Sequence, residues 1–275
     1  MSKVKYRSAE ALQKRRRSFK RVSIFFGIGI VAIFIGLIFF LRMDRFQIRD
    51  VNIVGVRIIQ ESDLRKSVED TLSGSYVWLI PKSNTFIYNL GTLKSYLLKE
   101  FPGIQSITLA RDGFNKISLN IEERKPHVLW CPNKDEVDQQ CYFIDDTGLL
   151  FAEAPSFSGN VYFIFRGKLD KDTPLGARLM SQQDFTSFEQ FISLITKNLR
   201  VDIVGVTFKD VGDFDLGLAS GAKILFNKTL SYDDMYNNFS SVLTSGQFAS
   251  STIDSLEYLD MRFGNKIFFK NKTSN

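Results

Sequence analysis

The sequence is poor in the residues that build metal centres and many catalytic sites. Its 275 residues include one histidine, His127, and two cysteines, Cys131 and Cys141. These are too few soft ligands for a Cys/His zinc cluster, and a histidine-dependent catalytic site would have to use His127. Only 6 prolines and 18 glycines are present, whereas 44% of the residues are hydrophobic. This composition excludes collagenous, low-complexity and wholly disordered chains.

Acidic residues are scarce at the start of the chain. The first 45 residues contain eleven lysines and arginines against Glu10 and Asp44, whereas the remaining 230 carry 25 basic and 28 acidic side chains. The high pI of the sequence, 9.2, therefore results from the basic N-terminal segment. A basic run can neutralise the phosphates of nucleic acid or flank a membrane span. The segment that follows favours the membrane, and no nucleic-acid partner is expected.

Charged residues are absent over twenty positions, residues 22–41, which are rich in Ile, Phe and Val. At 1.5 Å per residue such a helix spans about 30 Å, the thickness of a bilayer's hydrocarbon core. The run predicts a transmembrane helix. A buried core helix is the soluble alternative, although buried helices usually carry some polar flank. A cleaved signal peptide is the other alternative, but this run is longer than a usual signal core and no small-x-small site follows it.

Basic residues beside a span stay in the cytoplasm. Residues 1–21 are therefore predicted to form a cytoplasmic tail, and residues 42–275 are expected to lie outside the cytoplasm. The chain is predicted to be a single-pass membrane protein with the lipid bilayer as one of its partners.

Residues 46–124 show the order strand, helix, helix, strand, strand. Apolar residues alternate in the predicted strands and recur at four-residue spacing in the first helix, at Leu64, Val68 and Leu72. This order is that of a POTRA module, in which two helices cover one face of a sheet and leave an edge free for a partner.

Residues 125–270 are predicted to form a mostly antiparallel β domain with flanking helices, followed by a short tail, residues 271–275. One long helix is expected to begin at Asp184 as its N-cap, and another at Ser231, whose spacing to Asp234 resembles a capping box. The last two strands are separated by Gly264-Asn265. The fold class is therefore α+β.

Cys131 and Cys141 lie at the two ends of a polar loop. An oxidising exterior favours a disulfide between them. Two inert thiols or a fortuitous metal site are the alternatives.

Four stretches carry a resemblance to the FtsQ/DivIB cell-division proteins. A strand reading FQIRDVNIVG begins at Phe46, and the sequence Glu123-Arg124-Lys125-Pro126 resembles that family's Glu-Arg-x-Pro junction between its POTRA and β domains. The stretch 144–148, IDDTG, is similar to its Ile-Asp-x-x-Gly turn, and YLDMRF from Tyr258 is similar to its terminal Tyr-x-Asp-x-Arg strand pair.

The resemblance implies a divisome scaffold that is not an enzyme and has no cofactor, metal or small-molecule substrate. Members bind FtsB/DivIC-like and FtsL-like single-span proteins and help control septal peptidoglycan synthesis at the division septum. It implies a POTRA domain over residues 46–124, an FtsQ-type β domain over residues 125–270, and a domain junction at Glu123, Arg124 and Pro126.

The resemblance also implies where a partner binds. Arg262 would offer a forked donor to an acidic residue of the FtsB-like partner. Between Asp210 and Phe214 this sequence lacks an arginine that some members carry, and only Lys209 lies nearby. The implied partner-binding residues lie on the last two strands: Tyr258, Asp260, Arg262, Phe263, Ile267, Phe268 and Phe269.

Two other functions fit an anchored outer domain. A cell-wall hydrolase would need a nucleophile with its base, or paired carboxylates in a cleft. Asp145 and Asp146 are adjacent, and a turn ending in Gly148 explains them better than an acid/base pair. A POTRA-bearing secretion or assembly component should contain several such modules and a membrane barrel, whereas only one module is visible.

Overall fold

The computed structural model of the protein describes residues 9–133, 140–159, 161–168, 174–209, 212–245, 253–264 and 266–272. The chain divides into two compact units. The first comprises Met1–Leu97 and Ser106–Glu122, and the second Leu98–Gln105 and Glu123–Asn275. The α+β class, with a large and mostly antiparallel sheet, is confirmed.

The chain begins with one long helix, α1, at Ala9–Leu41. Its portion Phe19–Leu41 has a mean hydropathy of 3.0, and none of the most apolar window is buried within the structure. This confirms one N-terminal helix that is long and apolar enough to cross a membrane. The basic segment continues the same helix, and residues 1–8 of the predicted tail lie outside the described residues.

The first unit has the predicted order of strand, helix, helix, strand, strand, and its assignment to the POTRA type stays a prediction. A short ribbon between the two helices is an addition that the sequence analysis missed. The three-stranded sheet has the order β1-β5-β4, with β1 parallel to β5. After a 3-10 turn at Asp44–Phe46, the elements are β1 Asp50–Val54, α2 Glu61–Leu72, β2 Ser75–Tyr76, β3 Ile80–Pro81, α3 Leu90–Glu100, β4 Ile104–Asp112 and β5 Lys116–Glu123.

The second unit contains a nine-stranded sheet of order β14-β13-β12-β11-β10-β9-β6-β7-β8. Three of its strand pairs are parallel, namely β6 with β9, β9 with β10, and β12 with β13. Its elements are β6 Val128–Cys131, β7 Tyr142–Ile144, β8 Leu150–Glu153, β9 Ile164–Arg166, α4 Gln182–Leu199, β10 Ile203–Phe208, β11 Asp213–Leu218, β12 Lys223–Asn227, α5 Tyr232–Thr244, β13 Leu256–Phe263 and β14 Lys266–Asn271.

Both long helices of the second unit begin at a serine. The prediction of Asp184 as the N-cap of α4 is wrong, because the cap is Ser181, whose Oγ accepts from the Asp184 N–H at 3.1 Å. The α5 prediction is confirmed, since Ser231 Oγ accepts from the Asp234 N–H at 3.1 Å. In both cases the hydroxyl satisfies a backbone donor that the first turn leaves without an intrahelical partner.

Helices α4 and α5 pack against one face of the large sheet through a core rich in phenylalanine. Because neighbouring rings prefer tilted or edge-to-face contacts, they supply both apolar burial and orientation. Phe188 and Phe214, for example, meet edge-on with their centroids 5.6 Å apart. The fully buried rings are Phe165, Phe185, Phe188, Phe191, Phe214, Phe226 and Phe239.

Candidate functional site

Strand β14 forms one edge of the nine-stranded sheet. It pairs with β13 in antiparallel fashion, and no second strand among the described residues pairs with it. All six of its residues are exposed. An edge of this kind presents backbone N–H and C=O groups to which another strand can hydrogen-bond. Asn265, in the turn that precedes β14, lies outside the described residues.

The opposite edge of the sheet, at β8, is covered by the chain itself. The Leu150 N–H donates to the Ala177 carbonyl at 2.9 Å, and the Gly176 N–H donates to the Leu150 carbonyl at 2.8 Å. Leu149 forms a further bridge with Arg178. In the part of the chain that the structure describes, the two ends of the sheet therefore differ: the β8 edge is bonded to residues 176–178, whereas all six residues of β14 are exposed.

Apolar side chains line the exposed edge. Phe263 is 55% exposed and Phe268 50%, and their rings meet edge-on with centroids 5.4 Å apart. Ile267 and Phe269 are also exposed. Large apolar side chains concentrated at one sheet edge are uncommon on a monomer surface unless they contact a partner.

Arg262 is held by two carboxylates of its own chain. Its Nε and Nη2 donate to Asp260 at 2.9 and 2.6 Å, and its Nη1 donates to Asp213 at 2.7 Å. Asn227 donates to the second oxygen of Asp213. Three N–H groups of the predicted partner-binding fork are thus already occupied, and a contact with a partner's carboxylate stays a prediction.

The same contacts shape the end of β13. The Arg262 N–H donates to the Asp260 carboxylate at 3.1 Å, and the pairing register of β13 with β14 shifts between Asp260 and Phe263. A side chain that accepts from a backbone N–H two residues later competes with the ladder and favours a bulge. The bulge presents Phe263 beside Phe268.

Hydrogen bonds from Arg262 are the largest influence on the Asp260 carboxyl and lower its pKa below the usual range, although burial acts in the opposite direction. The same bonds to Asp260, followed by that to Asp213, raise the pKa of Arg262. Both groups are therefore charged across the physiological pH range.

A row of directly paired residues crosses the sheet from the exposed edge. Paired residues on neighbouring strands project from the same face of a sheet. The neighbours of this row along each strand, such as Leu259 and Leu216, belong to the core beneath α4 and α5, so the row lies on the opposite face. Within it, Asp215 accepts from Lys209 Nζ at 2.7 Å through one oxygen, while its other oxygen is buried and has no hydrogen-bond partner among the described residues. The row comprises Phe268, Asp260, Leu225, Asp215, Thr207, Arg166 and Cys131.

Sequence reasoning missed the carboxylates that join this network. Asp213 and Asp215 alternate with buried Phe214 and Leu216 in β11, which is the signal that could have identified them.

Tyr258, which was predicted to bind a partner, is half-buried. It is paired with Lys223 of β12 on one side and with Lys270 of β14 on the other. Asp210 begins the stretch 210–214, in which this sequence lacks an arginine that some FtsQ/DivIB proteins carry. Asp210 lies outside the described residues.

One of the three predicted junction residues, Arg124, forms a buried ion pair. Glu123 ends β5, and Pro126 is half-buried before β6. Between them, Arg124 donates from Nη1 to Asp145 and from Nε to the Pro102 carbonyl at 3.0 Å. The Asp145 side chain is 4% exposed. Arg124 therefore fixes the point at which the chain enters the second unit.

The Asp145 carboxylate is held by four donors. Its Oδ1 accepts from the Thr147 N–H and the Leu149 N–H, both at 2.9 Å, and from the Thr147 hydroxyl at 2.8 Å. Burial is the largest single influence and raises the pKa of Asp145, but the hydrogen bonds from Leu149, Thr147 and Arg124 together outweigh it and lower the pKa. The IDDTG stretch thus forms a turn organised around a buried, charged Asp145, in which Asp146 is exposed.

Cys131 and Cys141 form a disulfide in the structure. The bridge packs beside Leu129 and Ala154 in a small apolar cluster. Residues 134–139 of the loop between the cysteines lie outside the described residues.

We expect removal of this disulfide, as Cys131→Ser with Cys141→Ser, to lower the free energy of unfolding of the second unit by up to about 3 kcal/mol, because the reduced unfolded chain gains conformational freedom. Urea titration followed by Trp130 emission in a Trp78→Phe background measures the change. Alkylation of both cysteines in native wild-type protein without reductant would contradict the bridge.

Two further polar features lie in the described part of the chain. His127 Nε2 lies 2.6 Å from Glu189 on the surface. One open pocket of the first unit contains three cations, Arg49, Arg65 and Lys116, which form ion pairs with Asp44, Glu61 and Asp112, respectively. The rest of its lining is Asp50, Val51 and Asn52. No group of three metal-ligating side chains is found among the described residues.

No family model matches this sequence, and no curated protein matches it.

Proposed function

We propose that the chain is a membrane-anchored scaffold of the FtsQ/DivIB type. It binds FtsB/DivIC-like and FtsL-like single-span proteins outside the cytoplasm and helps to control septal peptidoglycan synthesis at the division site. The observation that carries this proposal is the exposed β14 edge, which lies in a chain whose N-terminal helix can span a membrane. The proposal assigns no catalytic residue, cofactor or metal.

The partner adds a strand to β14. Its backbone satisfies the outward-facing N–H and C=O groups, and its side chains contact the residues that alternate along the edge. Phe268 lies opposite Asp260 on the polar face of the sheet, whereas Phe269 lies opposite Leu259, which belongs to the core face. An added strand can therefore bury an aromatic ring on each face.

The ion pairs behind the edge keep it in place. Because Arg262 joins Asp260 in β13 to Asp213 in β11, it bridges strands on either side of β12. This bridging keeps the β13–β14 hairpin aligned with the rest of the sheet. Partner recognition then depends mainly on the backbone of β14 and on Phe263, Ile267, Phe268 and Phe269, while Arg262 positions the strand that carries them.

The test is a single substitution on the exposed edge. Phe268→Asp removes an apolar contact and places a carboxylate where the partner strand would be buried. We expect at least about a tenfold loss of affinity for the FtsB/DivIC-like protein of the same genome, because desolvating an unpartnered charge costs more than about 1.4 kcal/mol. Co-purification of the two full-length proteins from detergent extracts, followed by titration, measures the loss.

A matched control makes the same change away from the edge. Val161→Asp also replaces an exposed apolar residue of the second unit, in a loop, and should bind the partner as the wild type does. In a Trp78→Phe background, both variants should retain the Trp130 emission of the unsubstituted edge. If Phe268→Asp binds normally, the assigned edge is wrong. A fluorescent fusion that is not enriched at the septum of dividing cells would contradict the division role itself.

A further inference from the structure

We propose that the first unit carries a second membrane contact beside the end of α1, formed by the turn at Val77 and Trp78 together with the rings of Phe40, Phe46, Phe86 and Phe114. We call these six residues the juxtamembrane patch. Its partner is the interfacial region of a phospholipid bilayer. The proposal requires α1 to cross the membrane, and it does not depend on the division role.

The phenylalanine rings establish the depth of the patch. Phe40 is the second-last residue of the apolar span, so it lies at the boundary of the hydrocarbon region. Its ring centroid is 4.6 Å from that of Phe46 and 6.5 Å from that of Phe86, and Phe114 is 5.5 Å from Phe46. Rings in direct contact with Phe40 therefore lie at nearly the same depth relative to the bilayer, although they belong to the folded unit.

Hydrogen bonds fix the turn to the same end of the helix. Arg42, the first residue after α1, donates from Nε to the Leu79 carbonyl at 2.9 Å and from Nη2 to the Trp78 carbonyl at 2.8 Å. Asn84, which is fully buried, donates to the Leu41 carbonyl at 2.7 Å. The turn that joins β2 to β3 is therefore held beside the residue at which the chain leaves the bilayer.

The turn presents its apolar side chains outward. Trp78 is 88% exposed and Val77 82%. The Leu79 N–H donates to the Tyr76 carbonyl at 3.0 Å, and both central residues have positive φ angles, 47° at Val77 and 60° at Trp78. These are the features of a type I′ turn, which normally contains Asn and Gly at its two central positions. The left-handed conformation is unfavourable for Val77 because its side chain is β-branched.

A lipid surface explains this choice of residues. In water, the strained turn would only expose two large apolar side chains. Beside the exit of a span, tryptophan occupies the interface, where its ring contacts acyl chains and its N–H contacts headgroups. Arg42 donates to neutral carbonyls, so its positive charge can also attract lipid phosphate.

The test uses the full-length chain in nanodiscs of phosphatidylcholine and phosphatidylglycerol, loaded with one chain per disc. The sequence contains two tryptophans, Trp78 and buried Trp130, so Trp130→Phe leaves Trp78 as the sole reporter. In lipids brominated on their acyl chains, we expect Trp78 to lose most of its emission. We also expect its spectrum to be shifted to the blue and to resist quenching by aqueous iodide.

The complementary variant is the control. Trp78→Phe leaves only Trp130, whose emission should not change with lipid bromination. The difference between wild type and Trp78→Phe gives the same information if Trp130→Phe does not fold. Emission of Trp78 that is quenched by iodide and insensitive to brominated lipid would overturn the proposal. So would shielding that appears only when several chains share a disc, because the patch would then contact a second copy.

Discussion

Replacing Arg262 with methionine is expected to lower the free energy of unfolding of the second unit by about 2–4 kcal/mol, because the change leaves buried carboxylates without their cation. The Asp260 side chain is only 7% exposed and Asp213 18%. Methionine retains most of the aliphatic stem, so the loss reports the charge and its hydrogen bonds.

Emission from Trp130 in a Trp78→Phe background measures this loss during a urea titration of the detergent-solubilised chain. The control is Lys270→Met in the same hairpin, because Lys270 pairs with Glu257 on the surface, where both side chains are about half exposed. Solvent and salt screen such pairs, so we expect no measurable change. Equal stability of Arg262→Met and wild type would show that the network is not structural.

This expectation affects how the edge is tested. An Arg262 variant that fails to capture a partner has two explanations, a missing contact or a displaced hairpin. Phe268 has no such structural role in the ion-pair network, which makes Phe268→Asp the more informative substitution.

Replacing Arg124 with methionine is expected to destabilise the second unit by about 3–4 kcal/mol, because Asp145 is the most deeply buried carboxylate of an ion pair in the described residues and would lose its cation. The variant also loses the bond to the Pro102 carbonyl. The same Trp130 titration measures the change. Arg178→Met is the control, since Arg178 is exposed and donates to the Thr147 carbonyl of the same turn.

The pH dependence distinguishes the ion pair from a packing effect. A carboxyl whose pKa is lowered by folding stabilises the fold at pH values above its unfolded pKa, which is 3.8 for an aspartate, and this contribution is lost as the pH falls through the folded value. In the Arg124→Met variant the pKa of Asp145 is expected to rise. The stability difference between wild type and variant should therefore shrink below about pH 4. A difference that stays constant down to acid pH would point to packing instead.

Local patterns in the sequence predict most of the helices. The uncharged run predicts the apolar part of α1, and the four-residue spacing of Leu64, Val68 and Leu72 predicts α2, in which all three are buried. The serine that caps α5 was recognised, but the equivalent Ser181 was missed, although Ser181 and Asp184 have the same spacing as Ser231 and Asp234.

Two features were beyond local patterns. The carboxylate network depends on the parallel pairing of β12 with β13, which brings Asp213 within reach of Arg262, 49 residues later in the chain. Strand order of this kind is set by tertiary packing. The β2–β3 ribbon was missed because its turn contains Val77 and Trp78 and lacks the asparagine and glycine that usually mark such turns.

The exposed β14 edge also discourages self-association. If two copies paired antiparallel around Phe268, Lys266 of each copy would lie opposite Lys270 of the other. Like charges directly opposite on paired strands repel, and lysines on edge strands are a common protection against aggregation. Glu257 offsets part of this repulsion, because it already pairs with Lys270. We therefore expect the edge to disfavour a second copy of itself and to favour a strand that carries acidic residues at the matching positions.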